Sequence, residues 1–488
     1  MTSHEIPTQN PRHDHASLEL GAIGNGSFGA LIDPRGRVVW SCLPAFDGDP
    51  AFCALLSPKA HVGGDFSVEL EDFARAEQAY IPNTAVLRTV LHDIHGGSLE
   101  IVDFAPRWRS DGRFYRPVSI IRRVTPLSGS PRIRILARPL ADWGARVPEH
   151  TWGSNHLRWM LPGFTLRLTT DAPLRFVRDA LPFVLSHPVH LVLGPDEPLA
   201  RSIDGYVTEA LGRTLDYWRE WVRYLSIPLE WQDAVIRSAI TLKLCQYEDS
   251  GAIIAAMTTS IPEAPGSSRN WDYRYCWLRD AAFVVRALNR LGATRSMEEF
   301  LRYIFNIATS DGALQPLYGI GFEATLDEHE VDSLAGYRGM GPVRRGNLAW
   351  LQKQHDVYGS VVLASTQLFF DRRLADPGDA DTFARLEPLG EAAFRLHDVP
   401  DAGLWEFRGR AEVHTYTAAM CWAACDRLGK IAVRLGLQER ADYWHARADV
   451  IRTATLDAAW RPDANRFSAS FQSDYLDASL LLLADIGF

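Results

Sequence analysis

The sequence predicts a multidomain protein: an antiparallel β-sandwich at the amino end, followed by a helical domain. Three observations carry this. From residue 17 to about 204, short β-type runs alternate with turn residues, and no helical periodicity comes between them. Beyond Leu229 almost every apolar pattern has helical spacing. A chain of 488 residues also exceeds what one ordinary core accommodates, so two domains are expected.

Taken in order, residues 1–16 (MTSHEIPTQNPRHDHA) form a polar tail without the apolar stretch of a secretory leader. The sandwich occupies 17–204. GALIDPRGRVVWSCLP reads as two strands around an Asp-Pro-Arg-Gly turn, and TAVLRTVLHDIHGGSLEIVDFAP as two more around His-Gly-Gly. VSIIRRVTP, RIRILARPL, FTLRLTT and HLVLGP add further strands, about a dozen in all. Residues 205–228 are a linker helix, closed by Pro228. The helical domain then runs over 229–488. Its helices are expected in LEWQDAVIRSAITLKLCQYED, LRDAAFVVRALNRLG, SMEEFLRYIFNIATSDG, LAWLQKQHDVYGSVVLASTQLFFDRR, HTYTAAMCWAACDRLGKIAVRLG, QERADYWHARADVIRTATLDAAW and LDASLLLLADIGF. Three long loops interrupt them, at 249–277, 312–347 and 401–412, and long loops on a helical scaffold commonly carry function.

Composition narrows the class. Hydrophobic residues make up 47% and charged residues 23%, as in a globular protein, and the net charge of −9 without a basic run argues against nucleic acid. No segment is long and apolar enough to span a bilayer, so no membrane is involved and a cytoplasmic location is expected. Six cysteines lack C-x-x-C spacing and read as buried free thiols. Cys421 and Cys425 lie four apart on one helix, but no closed ligand set for zinc accompanies them, so no metal is expected. HExxH, P-loop and dinucleotide fingerprints are absent from the sequence.

The chemistry concentrates in the three loops. SRNWDYRYCWLRDAAF enters a helix whose stripe is Leu278, Ala281, Val285 and Leu288 and which Gly292 ends. Before it, Trp271, Tyr273, Tyr275 and Trp277 alternate with Asp272, Arg274 and Cys276. An extended strand would therefore show rings on one side and polar groups on the other, a surface suited to sugars. LAGYRGMGPVRRGNLAW brings Tyr337, Arg338, Arg344 and Asn347 near the next helix start. DAGLWEFRGR sets Glu406 directly after Trp405, and an indole can desolvate a carboxyl and raise its pKa toward that of a general acid. Plainer readings stay open: Tyr273 and Trp277 as packing residues, Asp280 as a helix cap, and Glu406 as a surface partner of Arg408.

RNWDYRYCWLRDA, GYRGMGPVRRGN and GLWEFRGR, in this order behind a large β-sandwich, closely resemble glycoside hydrolase family fifteen, the glucoamylase and bacterial trehalase-like group. IGNGSFGALIDPRGRVVWSCLPAFDGDPAFCALL looks like that group's non-catalytic β domain. The resemblance implies a helical toroid, a double barrel of paired helices with its active site in the loops at one end. It implies that Arg279 and Asp280 grip the terminal glucose, with Tyr273, Tyr275 and Trp277 as the aromatic wall. Trp405 and Glu406 match the general-acid motif, and Tyr337 and Arg338 fall where the leaving group is contacted. No cofactor is implied, because two carboxylates supply the proton chemistry.

The inverting reaction of this family needs a second carboxylate roughly 6.5–9.5 Å from the acid, to activate water. The resemblance puts that base late in a toroid of twelve helices. The sequence shows about eight long helices and no acceptable base up to Phe488, so the reading expects a toroid incomplete at its carboxyl end and a natural frame that continues. The leading expectation is an exo-acting hydrolase releasing glucose from the non-reducing end of α-glucans or α-gluco-oligosaccharides. The alternative is α,α-trehalose hydrolysis. An inverting phosphorylase, or a carbohydrate-binding remnant without activity, are further readings.

Overall fold

The computed structural model of the protein describes residues 16–57, 63–308 and 312–488; all but the last residue of the expected polar tail lies outside them. The chain divides into two compact units. The first holds Met1–Asp249, Ala256–Arg274 and His329–Arg345, and the second Ser250–Ala255, Tyr275–Glu328 and Gly346–Phe488.

In the first unit, one sheet follows the order Gly21–Gly24, Gly29–Ile32, Val38–Leu43, Asp65–Leu70, Arg132–Arg138, Phe183–Val184, with Asp49–Phe52 paired to Val38–Leu43. The other follows His150–Trp152, His156–Leu161, Phe164–Thr170, Val189–Pro195, Ile120–Ser128, Ser98–Phe104, Leu87–Asp93, Phe73–Tyr80. The pairings are antiparallel, and inward residues of both sheets share one core: Ile23, Val38, Phe66 and Ile135 from one, Leu91, Leu99, Val124, Leu168 and Leu191 from the other. This is the expected sandwich.

Local chemistry sets its turns. Asp33 Oδ1 accepts from the amides of Arg35 and Arg37, and Gly36 takes φ 75°, closing the Asp-Pro-Arg-Gly hairpin. In the His-Gly-Gly hairpin Asp93 Oδ1 accepts from the amides of His95 and Gly97. Arg122 crosses the core, fully buried. It forks onto Asp103 of its own sheet at 2.7 and 3.1 Å, and donates to the carbonyls of Phe66 (2.7 Å) and Gly36.

A short helix, α1 (Leu174–Arg178), precedes the linker helix α2 (Ile203–Arg223), whose N-cap Ser202 accepts from Gly205 N–H. The α2 stripe Val207, Ala210 and Leu211 packs on Val86, Val102, Phe104, Ile121 and Val192 of the eight-stranded sheet. Helix α3 (Gln232–Leu244) follows and also falls in the first unit.

The second unit contains α4 (Leu278–Arg290), α5 (Thr294–Ile307), α6 (Asp356–Phe370), α7 (Ala380–Leu396), α8 (Thr415–Leu435), α9 (Gln438–Ala459) and the short α10 (Leu482–Ile486). Helices α4, α6 and α8 pack side by side, and each takes its successor, α5, α7 or α9, as a partner. The layout is one of helix pairs, as the resemblance implies.

Three elements differ from the sequence reading. Helix α7 was not expected; Pro388 lies inside it and interrupts the helical pattern, while Asp379 caps it by accepting from Thr382 N–H. The long helix expected from LAWLQ onward is two pieces: a 3₁₀ turn at Leu348–Leu351 and α6, with extended backbone at Gln352 between them. The last apolar run is not one helix but a 3₁₀ turn at Ala478–Leu481 followed by α10, with Leu481 81% exposed. Among the described residues no helix is long and apolar enough to cross a membrane.

Candidate active site

Three segments of the second unit converge. Residues Cys276 and Trp277 pair with Tyr318 and Leu317, and this ladder holds Trp277 extended as the N-cap of α4. Arg279 and Asp280 then fall in the first turn of α4. The second segment is the break at 352–355 that delivers Gln354 and opens α6 with Asp356. The third is the turn 401–407, closed by bonds from Glu406 N–H to the Gly403 carbonyl and from Phe407 N–H to the Ala402 carbonyl. Within that turn Glu406 adopts φ 56°.

Arg279 is the hub. Buried, it donates from Nη1 to Gln354 Oε1 at 2.8 Å and to Asp356 at 3.2 Å. Its Nη2 lies 3.5 Å from Glu406 Oε1 and its Nε 3.9 Å from Asp280 Oδ2. One guanidinium thus serves three carboxylates. Asp356 is fully buried, whereas the Asp280 side chain, in the first turn of α4 and bonded to its own amide, is 47% exposed.

Glu406 is only 15% exposed in its side chain. Burial pushes its carboxyl above the ordinary range. The Arg279 charge and hydrogen bonds from Trp277 Nε1 (2.5 Å) and Gln354 Nε2 (3.2 Å) oppose that shift. A carboxyl raised by desolvation, beside a cation able to stabilise its anion, is the kind of group that general-acid chemistry uses.

Beneath the site, Asp401 ties the segments together. It accepts from the amides of His355 (2.8 Å) and Gly403 (3.1 Å) and from Thr417 Oγ1 of α8 (3.3 Å). Its burial lifts the carboxyl to about 7.

Of the residues expected at the site, Arg279, Asp280, Trp277 and Glu406 come together. Trp277 is buried and offers its N–H to Glu406 rather than an open ring face. Tyr275 is buried, its hydroxyl accepting from Gly346 N–H at 3.2 Å. Trp405 is 45% exposed and turns away from Glu406 to donate to Asp477 at 2.8 Å, so the indole that touches the acid is Trp277, not the sequence neighbour. Arg408 pairs with Glu328 rather than Glu406.

The other three expected residues belong to the first unit. Tyr273 is partly buried, and its carbonyl accepts from Ala256 N–H. The alternation of rings and charges around it does not make two different faces, because Asp272 and Arg274 are buried and fork onto each other at 2.8 and 2.9 Å. Tyr337 is buried with Trp40, Leu56 and Leu334, and Arg338 Nε donates to the Ala16 carbonyl.

Gln354, Asp356 and Asp401 were missed. The first two lie in QKQHD, which the sequence reading ran into a helix; the signal was that apolar periodicity begins only at Val357. Nothing in sequence distinguishes Asp401 from any loop aspartate.

Residues 231–488 match the profile of Glycosyl hydrolases family 15, and residues 14–150 match that of Trehalase-like, N-terminal. A trehalase of Thermoplasma volcanium is 31% identical over 475 residues, covering 96% of this chain and 75% of its own length. One from Mycobacterium tuberculosis is 31% identical over 486 residues, covering 93% and 70%. A bacterial glucoamylase solved with acarbose is similar in fold, with a TM-score of 0.61 at 13% identity over 94% of this chain and 70% of that one. Profile and relatives extend over both units, and the chain is a glycoside hydrolase belonging to glycosyl hydrolases family 15.

Proposed function

We propose that the protein hydrolyses α,α-trehalose to glucose with inversion, Glu406 acting as general acid. The observation that carries the substrate is that relatives named trehalases align at 31% identity along 93–96% of the chain. That favours trehalose over the α-glucan expected first from the loop motifs. In the reaction, Asp280 accepts hydrogen bonds from hydroxyls of one glucose and holds its anomeric carbon in place. Water attacks that carbon, the glycosidic C–O bond breaks, and Glu406 gives its proton to the departing oxygen. Inversion calls for a second carboxylate to take the water's proton, and none of the residues assigned to the site fills that role. Arg279 stabilises the Glu406 carboxylate that results.

Glucose release from trehalose, maltose and maltotriose, with and without phosphate, tests this. The expected result is a kcat/KM for trehalose about 100-fold or more above that for maltose, since a site built on sugar hydroxyls strongly rejects misplaced ones, and no effect of phosphate. Preference for maltotriose would restore the α-glucan reading. Turnover only with phosphate, giving glucose 1-phosphate, would make the protein a phosphorylase, and glucose binding by calorimetry without turnover would make it a binding remnant.

A further inference from the structure

Two hydrogen-bond donors and a guanidinium crowd one oxygen of Glu406 and leave the other alone. Trp277 Nε1, Gln354 Nε2 and Arg279 Nη2 lie 2.5, 3.2 and 3.5 Å from Oε1, and among the described residues no group is placed to bond Oε2. Indole and guanidinium can only donate. The Gln354 amide is oriented by its own contacts: its Oε1 takes Arg279 Nη1 at 2.8 Å, and its Nε2 gives to Gln352 Oε1 at 2.9 Å. Flipping it would turn an NH₂ against a guanidinium and a carbonyl against a carbonyl. A proton on Oε1 of Glu406 would therefore face two donors and a guanidinium, and no acceptor.

We infer that Gln354 is a positioning residue which, with Trp277 and Arg279, keeps the transferable proton of the acid on Oε2 and stabilises the carboxylate left once the proton has gone. The inference rests on Glu406 being the general acid. Gln354 need not touch sugar; it acts through the carboxyl. The break between the 3₁₀ turn and α6 is what brings its amide within reach, because a continuous helix would direct residue 354 along the helix surface.

Removing a donor to the carboxylate form raises that group's pKa, and the alkaline limb of kcat/KM reports loss of the protonated acid. In Gln354→Met, which keeps length and loses both polar atoms, the limb for trehalose should move up by about one pH unit. Turnover of α-glucosyl fluoride, whose leaving group needs no proton, should stay within a few fold. The isosteric Gln354→Glu places a second carboxyl against the first and should move the limb further. A direct reading comes from ¹³C NMR of protein labelled at glutamate Cδ, with the Glu406 signal identified by its loss in Glu406→Gln. Its titration should shift upward in both Gln354 variants, whether or not they turn over. An unmoved limb together with an unmoved Glu406 titration would overturn the inference. If Glu406→Gln loses fluoride and trehalose turnover equally, it is the assignment of the acid that fails instead.

Discussion

Glu406 holds a backbone conformation, φ 56°, that costs a non-glycine residue about 1–2 kcal/mol, and the turn bonds of 402–407 hold it there. Such strain at a carboxyl among converging donors accords with a preorganised acid. Glu406→Gln preserves shape and turn, so its effect should be chemical: a fall of about 10²–10⁴-fold on trehalose, with far smaller loss on α-glucosyl fluoride, followed by glucose release. Asp280→Asn should likewise reduce kcat/KM for trehalose sharply while leaving the thermal midpoint within a few degrees, because asparagine keeps an acceptor for the first-turn amide that the carboxylate bonds. A midpoint drop without a kinetic effect would make Asp280 structural. At this scale the sequence conveyed residue types better than directions. The motif placed Trp405 against Glu406, yet neighbouring side chains in a tight turn point apart, and the indole that bonds the carboxyl came from a position 129 residues away.

At the scale of elements, Asp401 anchors two site segments to α8. With its carboxyl lifted to about 7, the folded state prefers the protonated acid. Stability from this group is complete below about pH 4, the ordinary carboxylate value, and is lost as pH rises through about 7. Asp401→Asn is uncharged throughout and should lack that slope, so variant minus wild-type stability, measured by urea unfolding at pH 5 and pH 8, should increase with pH. A constant offset from a lost acceptor does not disturb the comparison; identical slopes would exclude the effect. Elements with clean periodicity, such as α4 and the hairpins of the sandwich, were legible in the sequence. Helix α7 and the break before α6 were not, since Pro388 argues locally against helix and the polar QKQH run argues locally for nothing, and in both cases tertiary packing decides.

For the whole molecule, the sandwich core depends on a buried ion pair within one sheet, whose guanidinium also reaches the Phe66 carbonyl of the other. Asp103→Ala would leave the Arg122 guanidinium buried without its anion, and a loss of about 3–5 kcal/mol is expected from urea unfolding of the full chain. A loss below 1 kcal/mol would show that the carbonyls of Phe66 and Gly36 suffice. The first unit also draws on later sequence. Leu334, Tyr337 and Val343 complete the cluster around Trp40, Cys53 and Leu56, and Arg344 grips the Ser268 and Asn270 carbonyls. A fragment ending at Asp249 should therefore bind a hydrophobic dye and melt well below the full chain. This interleaving gives the protein a clock: at synthesis rates of about 5–20 residues per second, the stretch from Asp249 to Arg345 takes on the order of 5–20 s to emerge. During that interval a nearly finished sandwich waits on the ribosome with one flank uncovered, so codon usage between these positions, and chaperones that recognise apolar flanks, bear directly on the yield of folded protein.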